Sequence, residues 1–294
     1  MPRLPGLLAA LLVLAPSAAA QADLQGVWHN RWVVHLEQPP GVAGPTMSQP
    51  EAEAYAAANA SRPGRSIEAP YFGPETVTPL MVRGQYRSAM IVDPPDARIP
   101  YSAEGLRRLA AIEAPGGDGP EARNAHERCL GGWGRAPILA HAVGNLRQIV
   151  QTPDSVVIWS DLTAEVRIIP LDGRRIVPGT FQGVSAGRWD GETLVIETTH
   201  FRPEEPLRLS PWHKLLLSPD TRITERFTRI SADELAYTFT IDDPALYARP
   251  WTAESVFQRS NEHVLEYACH EANYALANIL RGARTQDHQR AQPQ

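Results

Sequence analysis

The sequence predicts a mainly β protein, built as an up-and-down antiparallel barrel or a strongly curved sheet. Three observations carry that expectation. Nine short runs, Leu146–Gln151, Val156–Asp161, Glu165–Leu171, Gly183–Trp189, Glu192–Thr199, Arg222–Ile230, Glu234–Ile241, Thr252–Arg259 and Val264–His270, alternate in polarity or concentrate β-branched residues. Turn-forming residues separate them, among them Thr152-Pro-Asp154, Asp172-Gly173, Asp190-Gly191 and Ser231-Ala-Asp233, where Asp-Gly tolerates the positive φ of a hairpin. No long helical pattern interrupts the series, which favours hairpin connections over crossovers.

Ahead of the strands, residues 1–20 read as a cleaved secretory signal: Arg3 is the basic start, Leu7 to Leu14 the apolar run, and Ala18-Ala-Ala20 the small-residue cleavage site. That apolar run is too short to cross a bilayer, and no later segment reads as transmembrane. Residues 21–37 hold a first strand region around Val33-Val34. From Gln38 to Pro120 the composition turns to Pro, Gly and Ala, which reads as an insertion or lid over one end of the barrel. Within it Ser48 and Glu51 form a capping box for a helix through Ala60, and Ser102 caps a second helix to about Ala114. Residues 121–284 make up the meander and a C-terminal helix from Ala272 to Gly282, followed by a polar tail over 285–294.

The chain carries 28 Lys and Arg against 33 Asp and Glu, and cleavage after Ala20 removes Arg3 alone, leaving 27 against 33 and a net charge of −6. Its basic residues are scattered, so nucleic acid is not an expected partner. Two cysteines, Cys129 and Cys269, fit an oxidising compartment and a single disulfide between the N-terminal region and the end of the chain. Export to the periplasm or the extracellular space follows from the leader and that pair. Oligomeric state leaves no mark in the sequence.

Gly26-x-Trp28 resembles the signature at the first strand of lipocalin-like barrels, and the resemblance implies a tryptophan plugging the closed end under a late arginine, for which Arg281 and Arg284 are available. A wider resemblance runs from about residue 121 to 284. Gln148-Ile-Val-Gln-Thr-Pro-Asp154, Arg167-Ile-Ile-Pro-Leu-Asp-Gly-Arg174, Gly187-Arg-Trp-Asp-Gly-Glu-Thr-Leu-Val-Ile-Glu-Thr-Thr199, Glu225-Arg-Phe-Thr-Arg229, Thr240-Ile-Asp-Asp-Pro244, Arg249-Pro-Trp-Thr252 and Glu266-Tyr-Ala-Cys-His-Glu-Ala-Asn-Tyr274 resemble a large family of exported bacterial proteins, mostly described only as hypothetical. The resemblance implies export and brings no reaction with it.

Candidate chemistry comes from polar residues on faces that are otherwise apolar. Glu225 shares a face with Ile223 and Phe227; Glu266 and His270 share one with Val264 and Ala268; Arg188 shares one with Val184 and Ala186. Turned into a barrel, Glu225, Glu266 and His270 are candidate general acids and bases, and Arg188 a group for an anionic ligand or developing negative charge. The structural reading of the same residues pairs Arg188 with Glu225 or Glu197 and leaves His270 beside a disulfide. His200, His213, His263 and His270 occur with Asp161 and Glu271 but without metal-ligand spacing, so no metal is expected. Gly183-x-Ser185-x-Gly187 has the spacing of a nucleophile elbow but leads into a hairpin rather than a helix, so Ser185 reads as a strand residue. No Gly-rich loop opens a helix, and no cofactor is expected.

These features lead to a small hydrophobic or aromatic molecule as partner, bound among Trp159, Trp189, Phe201, Tyr237, Phe239 and Trp251. A cofactor-independent lyase, hydratase or isomerase is the first functional expectation, and a non-catalytic carrier the alternative. Converging polar groups inside the barrel separate the two, favouring the enzyme.

Overall fold

A computed structural model describes residues 21–30, 35–60, 79–113, 128–131, 134–139, 145–161, 164–174, 181–202, 207–210, 213–271 and 273–291. The signal expected over residues 1–20 and the strand region at Val33-Val34 lie outside those residues.

The expected β architecture is present, as one large antiparallel sheet. Its strands are β1 (Gly26–His29), β5 (Ile91–Asp93), β6 (Leu146–Gln151), β7 (Ser155–Ser160), β8 (Val166–Pro170), β9 (Val184–Asp190), β10 (Thr193–Thr199), β13 (Arg222–Arg229), β14 (Glu234–Asp242) and β15 (Trp251–Ser260). They run in the order β8-β7-β6-β1-β15-β14-β13-β10-β9, with β5 joined to β15 off that path. Two smaller sheets accompany it: β2 (Thr46–Met47), β3 (Met81–Val82) and β4 (Gln85–Arg87) in one, β11 (Leu207–Ser210) and β12 (His213–Leu216) in the other.

That order is a meander whose first strand joins its last. β1 pairs with β15 through Val27 and Ser260, Trp28 and Arg259, and with β6 through Trp28 and Arg147. The ladder does not close into a barrel, because no strand pairing joins β8 to β9 among the described residues. The two ends nevertheless approach. A Cβ placed on Gly187 of β9 would lie 2.8 Å from Ile169 and 3.0 Å from Leu171, so only glycine lets the β8 end pack this close.

Alternation gives the sheet two sides, although Val184, Val195, Ala236 and Val256 are buried on the outer one as well. Trp28, Ile149, Ile158, Ile169, Ile196, Ile223, Phe227, Tyr237, Phe239, Trp251 and Phe257 are buried on the concave side, while Val166, Ile168 and Val150 stand exposed on the other. Aromatic contacts bind the concave layer: Phe227 and Tyr237 lie 4.8 Å apart, Tyr237 and Phe257 meet edge to face at 5.4 Å.

The ninth expected run, Val264–His270, is not a strand. The edge of β15 that it would need is already taken by β1, which pairs as far as Val27 with Ser260. The Gly-x-Trp expectation is likewise corrected in its partner. Trp28 is buried and donates from its indole to Leu24 O at 2.9 Å, but the arginine over its ring is Arg259 at 4.4 Å, with Arg229 at 5.8 Å, whereas Arg281 and Arg284 are exposed on the C-terminal helix. Gly26 is required here: its φ is +136°, and a Cβ would stand 2.5 Å from an Arg259 guanidinium nitrogen.

Helix α1 (Gln49–Ala60) opens with the expected box, Ser48 N donating to Glu51 Oε2 at 2.8 Å, and α2 (Ala103–Glu113) with Gly105 N donating to Ser102 Oγ at 2.9 Å. Helix α3 (Ala275–Ala291) runs past Gly282 into the expected polar tail, since one glycine costs only about 1 kcal/mol and the residues beyond it are mostly good helix formers. The described parts of the Gln38–Pro120 insertion are sewn into the sheet. β5 pairs with β15, Glu254 N donates to Met90 O at 2.8 Å, Ala248 N to Pro100 O at 2.8 Å, and Leu80, Met90, Ile91 and Ile99 belong to the core. No helix among the described residues is long and apolar enough to cross a membrane.

Cys129 and Cys269 stand at disulfide distance, with Cα atoms 5.6 Å apart and a sequence separation of 140. The intact protein is expected to be two hydrogens lighter by mass spectrometry than after reduction. Replacing both cysteines by serine should cost up to about 5 kcal/mol on the chain-entropy argument, read from denaturant melts.

Candidate functional site

At the middle of the concave side, Glu225 of β13 is fully buried, as its alternation with Ile223 and Phe227 requires. Its carboxylate meets a guanidinium from the far end of the sheet. Arg167 of β8 donates from Nη2 to Oε2 at 2.5 Å and from Nη1 to Oε1 at 3.2 Å, and both partners are almost wholly buried. This two-pronged pairing answers most of the carboxylate's acceptor capacity. Tyr237 of β14 completes it, donating its hydroxyl to Glu225 Oε1 at 2.7 Å.

Arg167 makes two further bonds across the seam. Its Nη2 donates to Ser185 Oγ of β9 at 3.3 Å and to Thr198 Oγ1 of β10 at 3.2 Å, and those hydroxyls lie 2.9 Å from one another. Ser185 is thus an interior strand residue, not a nucleophile at an elbow. Burial alone would lower the Arg167 pKa, but the charge and hydrogen bonds of Glu225 outweigh it and raise it. Burial, followed by the charge of Glu225 and the bond to it, pushes the Tyr237 phenol well above its usual range.

A strap crosses this concave side at 134–139. Ile138 N donates to Tyr237 Oη at 2.8 Å, and Gly134 N donates to Glu165 Oε2 at 2.7 Å. The strap's own Ala136, Ile138 and Leu139 are buried, and so is Arg135. Nearby, Arg147 of β6 is buried and donates from Nη1 to Leu146 O at 2.8 Å and to Asp161 Oδ1 at 3.4 Å. Its pKa is lowered, because burial outweighs the opposing charges of Asp161, Glu165 and Tyr237.

The four sequence candidates do not converge. Glu225 alone faces the interior. Arg188 is exposed: on β9 the buried side is carried by Ser185 and Gly187, so Arg188 points outward, where it helps Arg226 hold the Asp190 carboxyl below its usual range. Glu225 and Glu197, its expected partners, meet Arg167 and Arg222 instead. Glu266 and His270 are exposed, since their segment is not a strand and has no inner face. Of the aromatic supply, Tyr237, Phe239, Trp251 and Phe201 are buried, and Trp159 lies on the outer side with Val157.

The chain matches no family model and no curated protein sequence. Function has to be argued from the geometry.

Arg167, Arg147 and the strap were missed by sequence reasoning, and Tyr237 was expected only as part of the aromatic lining, not as a hydrogen-bond partner of Glu225. In Val166-Arg-Ile-Ile169 hydropathy points the wrong way, because Val166 and Ile168 are exposed while Arg167 is inside. The usable signal was Glu225 itself: a carboxylate on a buried face demands a cation. Among the described residues no group of three or more His, Cys, Asp or Glu side chains is placed to hold a metal ion.

Removing one member of the buried pair strands the other. Glu225→Gln should destabilise the protein by about 3–5 kcal/mol, and Arg167→Met combined with Glu225→Leu should recover most of that loss in denaturant melts. The tyrosines give a pH test. Tyr237 and Tyr247 have raised pKa values in the fold, both chiefly through burial, so their stabilising contribution is complete below the unfolded value of about 10 and is lost as pH rises beyond it. Wild type should lose stability above about pH 10, and Tyr237→Phe should lose it less steeply in parallel melts.

Proposed function

We propose that this is an exported small-molecule-binding protein that takes a hydrophobic or aromatic compound on the concave side of its sheet. One observation carries the proposal: the strap 134–139 lies across an aromatic-lined concave face and is anchored there by backbone N–H groups on side chains, Ile138 on Tyr237 and Gly134 on Glu165. Each such anchor contributes only about 1 kcal/mol net, an amount that ligand contacts can replace. Phe227, Tyr237, Phe239 and Phe257 beneath supply the apolar surface a small ligand needs. The cysteine pair at disulfide distance and the leader read from residues 1–20 support export.

A second reading, a cofactor-independent lyase, hydratase or isomerase, is favoured by the Tyr237–Glu225 hydrogen bond, a phenol and a carboxylate 2.7 Å apart in a dry interior. Binding is preferred because Glu225 already engages Arg167 with both oxygens, so proton abstraction by it would leave that guanidinium without its counter-ion.

N-phenyl-1-naphthylamine, uncharged and fluorescent in apolar surroundings, should bind the mature chain saturably at one site. Tyr237→Phe, which removes the anchor of Ile138, should change its affinity. A linear, unsaturable fluorescence rise in wild type would overturn the proposal. Turnover of any bound compound that Tyr237→Phe abolishes without loss of binding would move the assignment to the enzyme.

A further inference from the structure

We infer that the C-terminal segment is a self-association surface: the helix α3 of one copy pairs with the acidic stretch 261–271 of a second copy, and receives the same contact in return.

The surface is apolar at its centre. Leu265 and Tyr274 are 72% and 70% exposed, more than any other large hydrophobic side chain among the described residues, and Tyr267 and Leu130 are exposed as well. The cysteine pair gathers them. Leu130 follows Cys129, whose Cα lies 5.6 Å from that of Cys269, and Asn273 Nδ2 donates to Cys129 Sγ at 3.0 Å. Exposed apolar side chains scattered singly are ordinary, whereas a group of them held together by one cross-link marks a place of contact.

Charge around that centre is divided along the chain. Residues 261–271 carry Glu262, Glu266 and Glu271 and no Lys or Arg, whereas α3 carries Arg281, Arg284 and Arg290 against Asp287 alone. Arg290 meets Asp287 at 3.4 Å, but Arg281, Arg284, Glu266 and Glu271 make no ion pair among the described residues. The helix keeps the two sets apart. At 1.5 Å of rise per residue, Arg281 and Arg284 stand about 9 and about 14 Å along its axis from Ala275, leading away from the acidic stretch.

The helix also presents the right side. Leu276, Ile279, Leu280 and Ala283, at the spacing of one helical face, are half-buried, while Tyr274, Arg281 and Arg284 are exposed away from that face. Opposite charges that one chain holds apart are brought together by a second. A two-fold axis near Tyr274 lays Arg281 and Arg284 of each copy against Glu271 and Glu266 of the other, with Leu265 and Tyr274 of both closing the apolar centre. Such a contact uses the same patch on both partners, so it stops at a dimer.

Sedimentation velocity of the intact protein over a range of concentrations tests this. Wild type should be a mixture of monomer and dimer whose dimer fraction rises with concentration. Arg281→Glu with Arg284→Glu leaves both halves of the surface acidic, and Glu266→Arg with Glu271→Arg leaves both basic. Each double variant should dimerise at least about tenfold more weakly than wild type. Equimolar mixing of the two should restore the dimer, because each chain then offers the charge the other lacks. All four positions are exposed, so thermal melts of both variants should match wild type, which separates lost association from lost folding. Leu265→Ser should weaken the dimer several-fold without reversing any charge. A wild type that stays monomeric at every concentration, a dimer indifferent to both double variants, or folded variants whose mixture stays monomeric would each overturn the inference.

Discussion

The fold turns on a single guanidinium. Arg167 sits on the last strand at one end of an open sheet, and its hydrogen-bond partners Ser185, Thr198 and Glu225 sit on the three strands at the other end. Where a closed barrel would place a ladder between β8 and β9, this protein places a side chain. A buried ion pair contributes little net stability over an apolar replacement, because desolvation of both charges offsets their attraction. Its effect is on geometry: a guanidinium with fixed donor directions accepts one register of the two ends, whereas apolar contact would accept several. Gly187 has to be small for the same reason, since Ile169 and Leu171 occupy the volume a side chain would need.

The opposite side of the molecule is held by different means. β1 inserts between β6 and β15, so Gly26–His29 and the two ends of the meander are zipped by ordinary backbone pairing. Trp28 lies under Arg259 there, and the same arginine excludes a side chain at Gly26. With β1 in place, residues 261–271 cannot pair with β15. Mostly exposed, they lead to the Cys129–Cys269 pair, which ties the end of the chain back to the region preceding the meander. One strand position thus decides the fate of the whole C-terminal segment.

Alternation made eight of the nine meander runs legible, because each of those strands has one buried side and one wetter side. It failed at Val264–His270, whose alternation is as good as the others. Periodicity is a local property, and whether a strand finds a partner is not. Glu266 and His270 fell with that error. Glu225 was legible as an anomaly on an apolar face, but its partner was not: Arg167 is flanked by Val166 and Ile168, which hydropathy assigns to the inside and the structure exposes. Arg188 was chosen in its place because Val184 and Ala186 look like core; Val184 is buried, but the side of β9 that faces Glu225 is built from Ser185 and Gly187. In both cases the tertiary demand of one buried charge overrode the apolar pattern. The insertion hid its contribution differently, since β5 is only three residues long and too short to show a period.

The strap determines how such an interior can serve binding. Lifting residues 134–139 would expose Ile138 and Leu139, at about 1.5–3 kcal/mol each, and break bonds that include those of Ile138 and Gly134, at about 1 kcal/mol each. A ligand that merely waited for the open state would suffer the full penalty, its affinity reduced in proportion to the small open population. A ligand that replaces what the strap supplies would not. It needs an apolar body to cover Phe227, Tyr237 and Phe257 in place of Ile138 and Leu139, and a polar group able to bond the Tyr237 hydroxyl that Ile138 N now satisfies. Because that hydroxyl already donates to Glu225, what it can still offer is an acceptor oxygen, so the ligand group meeting it has to be a donor. On the binding reading proposed above, the strap's own chemistry thereby narrows the class of ligand that can displace it to apolar molecules that carry a hydrogen-bond donor.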